Sequence, residues 1–216
     1  MLPVTSHDVS LNSFDSLAPY YDRLARLVFG RAIRSAQLIH LPHLSKAKSV
    51  LILGGGTGWI LPHLLRASAV AHVTYIEASA RMIALSRNSI PENARDRITF
   101  VHGTEDTLQP GNCFDAVIIN FFADMFTDPE LVGLVRQLKK LVNNDGYILC
   151  TDFVNDRWWQ RAMLKAMYLF FRLTTKLDTR QLAPWRSIIT AGGFQRLQSQ
   201  TFWRRFIWSE LYQKTS

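Results

Sequence analysis

The run SVLIL at Ser49–Leu53 passes without a break into Gly54-Gly55-Gly56-Thr57-Gly58, and no other junction in the chain constrains its fold as much. An apolar run of strand length has no polar side to show to water, so it belongs in a sheet covered on both faces. Glycines at the end of such a strand, ahead of a helical pattern, let backbone N–H groups approach a ligand with no Cβ in the way. The loop is therefore expected to hold a ligand. Spacing narrows the choice. The dinucleotide fingerprint G-x-G-x-x-G requires glycine where the chain has Trp59, and no Gly-Lys-Ser/Thr follows to complete a phosphate loop. The pattern present is G-x-G-x-G, with Glu77 about 20 residues on, where a carboxylate can accept both hydroxyls of an unphosphorylated ribose.

From about residue 46, short apolar runs alternate with segments of helical period, as in a parallel sheet layered between helices. Strands are expected at 49–53, 72–76, 98–101, 114–120, 147–151, 194–201 and 206–212, and helices at 59–66, 80–89, 128–142, 156–177 and 185–191. Asp128-Pro129-Glu130 reads as an N-cap followed by proline at the first helical position, and Asn144-Asp145-Gly146 as the turn into the fifth strand. The expected fold is α/β: a doubly wound seven-stranded sheet, mostly parallel with an antiparallel C-terminal strand, and helices on both faces. Neither a repeat nor a low-complexity linker divides residues 1–216, so one domain is the economical reading. Within it, residues 13–44 carry a helical pattern (Leu24, Leu27, Val28, Ile33, Leu38, Ile39) that serves either as a lid over the open end of the sheet or as padding at its edge.

Composition excludes several classes. With 48% hydrophobic and 19% charged residues in 216, the chain can bury a sizeable core and is not disordered, collagenous or coiled-coil. Cys113 and Cys150 stand in apolar stretches with no CxxC or Cys/His cluster around them, so neither a disulfide framework nor a metal site is expected, and a reducing compartment is. The opening MLPVTSHDVS lacks the basic and apolar regions of a secretory signal, and no apolar run approaches the ~18 residues of a membrane span. A cytoplasmic location is expected, peripheral contact with a membrane included.

The net charge of +8 lies almost wholly in the last third: residues 151–216 hold 11 Lys+Arg against 4 Asp+Glu, with five of the six tryptophans. On the expected helix over 156–177, Arg157, Arg161, Lys165, Arg172 and Lys176 form one stripe about 100° wide. The rest of its circumference is apolar (Trp158, Trp159, Met163, Met167, Leu169, Phe170, Phe171, Leu173), more than covering a sheet requires. The helix is either buried with a solvated basic edge or, with Trp203-Arg204-Arg205-Phe206, faces an amphipathic or anionic acceptor, a partner or a lipid interface.

The ordered runs VLILGGGTGW, YIEAS, VHGTED, FDAVIINFFADMF and LKKLVNNDGYILCTDF resemble the motif set of class I S-adenosylmethionine-dependent methyltransferases, over about residues 46–153. FDSLAPYYD at Phe14–Asp22 is similar to the helix that quinone-type and related small-molecule methyltransferases place before their sheet. The resemblance implies a Rossmann-like methyltransferase domain, with a cofactor-binding core at 46–153 and a substrate-side part at 154–216. It implies S-adenosylmethionine as cofactor: Gly54, Gly55, Gly56 and Gly58 at the methionine, Glu77 at the ribose, Asp106 with Glu105 at the adenine amine, Ala78 and Met82 as apolar walls, and Asn120 near the transferred methyl. The family's usual acid two residues before the first glycine is replaced by Ile52, leaving Tyr20 or Asn120 to hold the cofactor's ammonium. Spermidine-synthase-like proteins also lack that acid, but the paired aspartates they carry after the fourth strand are represented only by Asp124.

Methyl transfer from a sulfonium is an in-line displacement driven chiefly by proximity and orientation. Acceptors that carry an O–H or an acidic C–H also need a base within about 3 Å of the proton. Asp124 and Asp152, just past strand ends where ligands sit in open α/β sheets, are the candidate catalytic residues, with helix caps or solvated loop acids as the alternative. His63 and His102 read as structural. Asn120-Phe121-Phe122-Ala123 stands where amino-group nucleic-acid methyltransferases carry DPPY or NPPY, and neither cysteine follows proline, so nucleic acid is disfavoured. The expected partner is a small-molecule or lipid-like acceptor. A non-catalytic cofactor-binding module acting on RNA or membranes remains the reading from another class.

Overall fold

In the first strand, β1 (Ser49–Leu53), Val50 and Ile52 face one side of the sheet and Leu51 and Leu53 the other, none more than 2% exposed. Burial on both faces is what the unbroken apolar run requires. A computed structural model describes residues 28–67, 72–109, 111, 113–174 and 181–215. Around β1 run β2 (His72–Glu77), β3 (Ile98–His102), β4 (Phe114–Asn120), β5 (Val142–Phe153), β6 (Phe194–Phe202) and β7 (Ile207–Lys214), in the order β3-β2-β1-β4-β5-β7-β6. The β1 to β5 pairings are parallel, and β7 runs antiparallel to both β5 and β6. The seven-stranded doubly wound sheet with one reversed strand is thus the fold expected from sequence. Strand order reverses between β1 and β4, which opens a crevice at their C-terminal ends.

Helices cover both faces. On one lie α1 (Ala32–Leu38), a short 3-10 turn at Leu41–Leu44, α2 (Leu61–Ala67) and α3 (Ala80–Asn88), where Leu44, Leu61 and Leu64 are fully buried. On the other, α4 (Asp128–Leu141) buries Leu131, Leu134, Val135, Leu138 and Leu141 at helical spacing, beside α5 (Trp158–Thr174) and α6 (Trp185–Ala191). Residues 28–44 lie across the C-terminal strands: the Thr151 hydroxyl donates to the Ala36 carbonyl (3.4 Å) and the His40 ring meets the Ser209 carbonyl (3.1 Å). Ala36 and His40 thus lie against the sheet, while Phe29 packs on Phe153 and Phe206 at its open end, and 13–27 lie outside the described residues.

Two local expectations need correction. The N-cap of α4 is Thr127, not Asp128: the Glu130 carboxylate takes both the Thr127 N–H (2.8 Å) and its hydroxyl (2.7 Å), so the helix starts one residue earlier and Pro129 falls at its second position. Asn144–Gly146 is not a turn ahead of β5 but an irregularity within it, since Phe114 pairs with Val142 and Ala116 already with Tyr147. Asp145 takes a φ of 62°, and the Asn143 amide donates to Asp115 (2.8 Å), which also accepts the N–H groups of Lys48 (2.8 Å) and Ser49 (3.0 Å). On α5, part of the apolar circumference is taken up by packing. Trp159, Met163 and Met167 lie against the core, leaving Trp158 (75%) and Leu169 (55%) as its exposed large apolar residues among those described. The stripe members Arg172 and Lys176 lie outside the residues whose side chains are described. Among the described residues, no helix is long and apolar enough to cross a membrane.

Candidate active site

The loop after β1 separates its glycines into two roles. A Cβ on Gly54 would stand 2.3 Å from the Phe122 ring, one on Gly55 2.2 Å from the Tyr75 ring, and one on Gly58 2.6 Å from Ser86. These three are glycine because protein packs there. Gly56 differs: with a φ of +63°, its Cβ position meets nothing within 4 Å. Its carbonyl accepts from the Tyr75 hydroxyl (2.8 Å) and the Ser86 hydroxyl (2.9 Å), which hold the loop from below. Tyr75 and Ser86 were not singled out from sequence, where Tyr75 reads only as a strand residue; a phenol in a fully buried β2 position was the available signal, because its O–H needs a partner.

Glu77 ends β2 and reaches back to this loop. Its carboxylate accepts the N–H of Gly56 (2.9 Å) through one oxygen and that of Ser79 (2.9 Å) through the other. The Ser79 side chain in turn caps α3 by accepting from Met82 N–H (3.1 Å). Ala78 and Met82 flank this corner half-buried, and the Ala78 carbonyl meets the His102 ring at 2.9 Å. Glu105 and Asp106 stand in a 3-10 turn just after β3, Glu105 half-buried and Asp106 exposed. His63 stacks edge-on against Trp59, and burial followed by the charges of Arg66 and Arg34 holds its pKa below the ordinary value. Ile52, in the position of the family's usual acid, is buried in the core. Tyr20 lies outside the described residues.

Across the crevice, Asn120 closes β4 with its Oδ1 buried and without a hydrogen-bond partner. An orphaned buried acceptor is expensive unless something donates to it. Together with the open space at Gly56, it makes the site fit a ligand that carries a donor such as an ammonium.

Asp124 and Asp152 come from different elements and meet. Asp152, at 0% exposure near the end of β5, accepts the N–H of Phe153 (2.7 Å) and of Asp124 (3.1 Å). Asp124 sits half-buried in the 3-10 turn Ala123–Met125. Burial pushes the Asp124 carboxyl up to about 6. Asp152 rises well above the carboxylate range, first by burial and then by the charge of Asp124, against the pull of its backbone donors. These are not the solvated loop acids that sequence left open: two acids in low dielectric cannot both ionise cheaply, so the pair keeps a proton. Tyr168 of α5, missed from sequence because it fits the helix's apolar pattern, is 9% exposed with an unpartnered hydroxyl, and its pKa is raised by burial and by both acids. Aromatic side chains wall this end of the sheet. Phe153 lies within 5.6 Å, centroid to centroid, of Phe29, Phe121 and Phe206, and Trp203 packs edge-on against Phe29.

Residues 50–146 match the family model of a methyltransferase domain. The chain is similar to a polyamine aminopropyltransferase of Moorella thermoacetica, 30% identical over 144 residues that span 58% of this chain and 49% of that protein. It is similar also to a ubiquinone/menaquinone biosynthesis C-methyltransferase of Methylobacterium nodulans, 30% identical over 146 residues, 65% of this chain and 57% of that protein. The chain thus spans about half the length of these curated relatives (49% and 57%). Among solved structures, the 1,6-didemethyltoxoflavin-N1-methyltransferase of Burkholderia thailandensis, with its substrate and S-adenosylhomocysteine bound, shares the fold at a TM-score of 0.68 and 16% identity, covering 100% of this chain and 93% of that one.

Proposed function

We propose that the chain, whose residues 50–146 match a methyltransferase domain, is a class I S-adenosylmethionine-dependent methyltransferase that moves a methyl group to an oxygen or carbon of a small, apolar or amphipathic acceptor. The observation that carries this reading is the convergence of the Glu77 carboxylate on Gly56, the one glycine of the loop whose Cβ position is open. Glu77 would accept the ribose hydroxyls and the loop would hold the methionine end. The orphaned Asn120 oxygen would take the ammonium that Ile52 cannot hold. Bound S-adenosylmethionine supplies an electrophilic methyl on a sulfonium.

The chain's own residues supply position and a proton acceptor. Phe121, half-buried just past Asn120 and backed by the fully buried Phe153 and Phe206, would flank a flat apolar acceptor. The Asp124–Asp152 pair, with one carboxyl near 6, is poised to take a proton from an acidic O–H or C–H near neutral pH.

The aminopropyl-transfer reading gains support from the Moorella relative and from the second aspartate that β5 brings to Asp124. A buried pair that retains a proton is a poor partner for a polycation, however, and methyl transfer is favoured. The test is an assay with S-adenosylmethionine over phenol, enol, carboxylate and amine acceptors, run beside decarboxylated S-adenosylmethionine with putrescine. Methylation of an O–H or acidic C–H acceptor that fails in Asp124→Asn supports the proposal; aminopropylation, or no transfer with any acceptor, contradicts it.

A further inference from the structure

The exposed side of α5 carries features that neither cofactor binding nor the acid pair explains. At about 100° per residue, Arg161, Lys165, Trp158, Leu169, Ala162 and Ala166 share an arc about 140° wide, and all six are exposed. The arc contains no acid. Trp158 is 75% exposed and Leu169 55%, although large apolar side chains at such exposure sit better out of water.

A second element extends this face. The β6–β7 hairpin turns through Trp203, Arg204 and Arg205, all at positive φ (42°, 57° and 66°). Three successive non-glycine residues in that region are unfavourable. The turn is held by Phe206, fully buried, and by the Arg205 carbonyl, which accepts from the Gln160 side chain of α5 (2.9 Å) and the Trp208 indole (3.0 Å). In this conformation both arginines are exposed beside the N-terminal end of α5. Arg157, also exposed, completes the group, and Arg161 leans on the carbonyls of Asn155 and Asp156 (3.3 Å each). Asp156 is the nearest acid in sequence.

We propose that this face, Trp158 and Leu169 of α5 ringed by Arg157, Arg161, Lys165, Arg204 and Arg205, docks on an anionic lipid bilayer. Cations interleaved with an exposed indole and an aliphatic side chain match a headgroup layer, where Trp sits at the interface, Leu reaches the acyl boundary and basic side chains meet lipid phosphate. A nucleic-acid surface would use the charges but leave Leu169 in water. The hairpin adjoins the C-terminal end of β5, since Ile207 pairs with Phe153, so the docked face would bring the bilayer beside the aromatic-walled end of the sheet. The surface itself stands whether or not the chain transfers methyl groups.

Flotation of the full chain with phosphatidylcholine vesicles, with and without phosphatidylglycerol, tests the proposal, and S-adenosylhomocysteine calorimetry serves as a fold control for each variant. Binding is expected only with the anionic lipid, weakening as salt rises, by about fivefold for each basic residue removed in the series Arg157→Gln, Arg161→Gln and Lys165→Gln, and further in Trp158→Ala. Absence of binding by the wild-type chain overturns it. So does vesicle binding indifferent to all of these variants, or salt-steep binding to an RNA oligomer with none to vesicles. Loss of S-adenosylhomocysteine binding alone would count against the methyltransferase reading and leave the lipid surface intact.

Discussion

Gly55 and Gly56 are neighbours with opposite constraints, and substitution separates them. A methyl at Gly55 runs into the Tyr75 ring at 2.2 Å, whereas Gly56 faces open space. Gly56→Val is expected to retain the fold at a strain cost of about 1–2 kcal/mol for a side chain in the left-handed region, while S-adenosylhomocysteine affinity falls by at least about tenfold. Gly55→Val is expected to lower the melting temperature far more. Thermal melts beside ligand titrations check both. For Asp124, the direction with pH follows from its raised pKa of about 6. Between the unfolded carboxylate value and 6, the folded chain holds a proton that the unfolded chain has released, so stability falls as pH rises through that window and the whole penalty is present above it. Asp124→Asn removes an ionisation cost of roughly 3 kcal/mol. Above pH 7 it should melt higher than the wild type while losing transfer activity, and a lower melting point at pH 8 would show the carboxylate to be paired and stabilising.

The helices illustrate why some boundaries are readable and others are not. Ser79 caps α3, its short side-chain hydroxyl accepting the Met82 N–H at the start of the helix expected over 80–89. In α4, two adjacent residues, Thr127 and Asp128, could each cap, and only the reach of Glu130 to Thr127 decides between them. Thr127→Ala should cost about 1 kcal/mol, or a fall in melting temperature of about 2–4 °C for a domain of this size. Glu130→Ala should cost a similar amount, and the double variant less than their sum because both break one loop. On α5, Trp158 and Trp159 are indistinguishable as letters. Packing against Trp203 and Phe206 buries one of them partly and leaves the other in solvent.

For the chain as a whole, the succession of strands and helices was legible because apolar runs and glycine or proline punctuation encode it locally, and the joint appearance of the glycine loop and Glu77 about 20 residues on marked the ligand end of the sheet. Contacts between elements remote in sequence were not. Asp124 and Asp152 lie 28 residues apart and meet only because β4 and β5 are paired neighbours. Tyr168 joins them from a helix whose pattern is otherwise that of core packing. Ile52 and Asn120 show the same division, a missing acid visible in the letters and an orphaned oxygen visible only in three dimensions. The central claim, that the loop and Glu77 together hold S-adenosylmethionine, is tested most directly by isothermal titration of the wild-type chain and Glu77→Ala with S-adenosylhomocysteine, with NAD as control. The account predicts binding of S-adenosylhomocysteine but not NAD, weakened by about 2–3 kcal/mol in the folded variant through loss of charge-assisted hydrogen bonds to the ribose. Unchanged affinity in Glu77→Ala, or NAD binding as tight as that of S-adenosylhomocysteine, would contradict it.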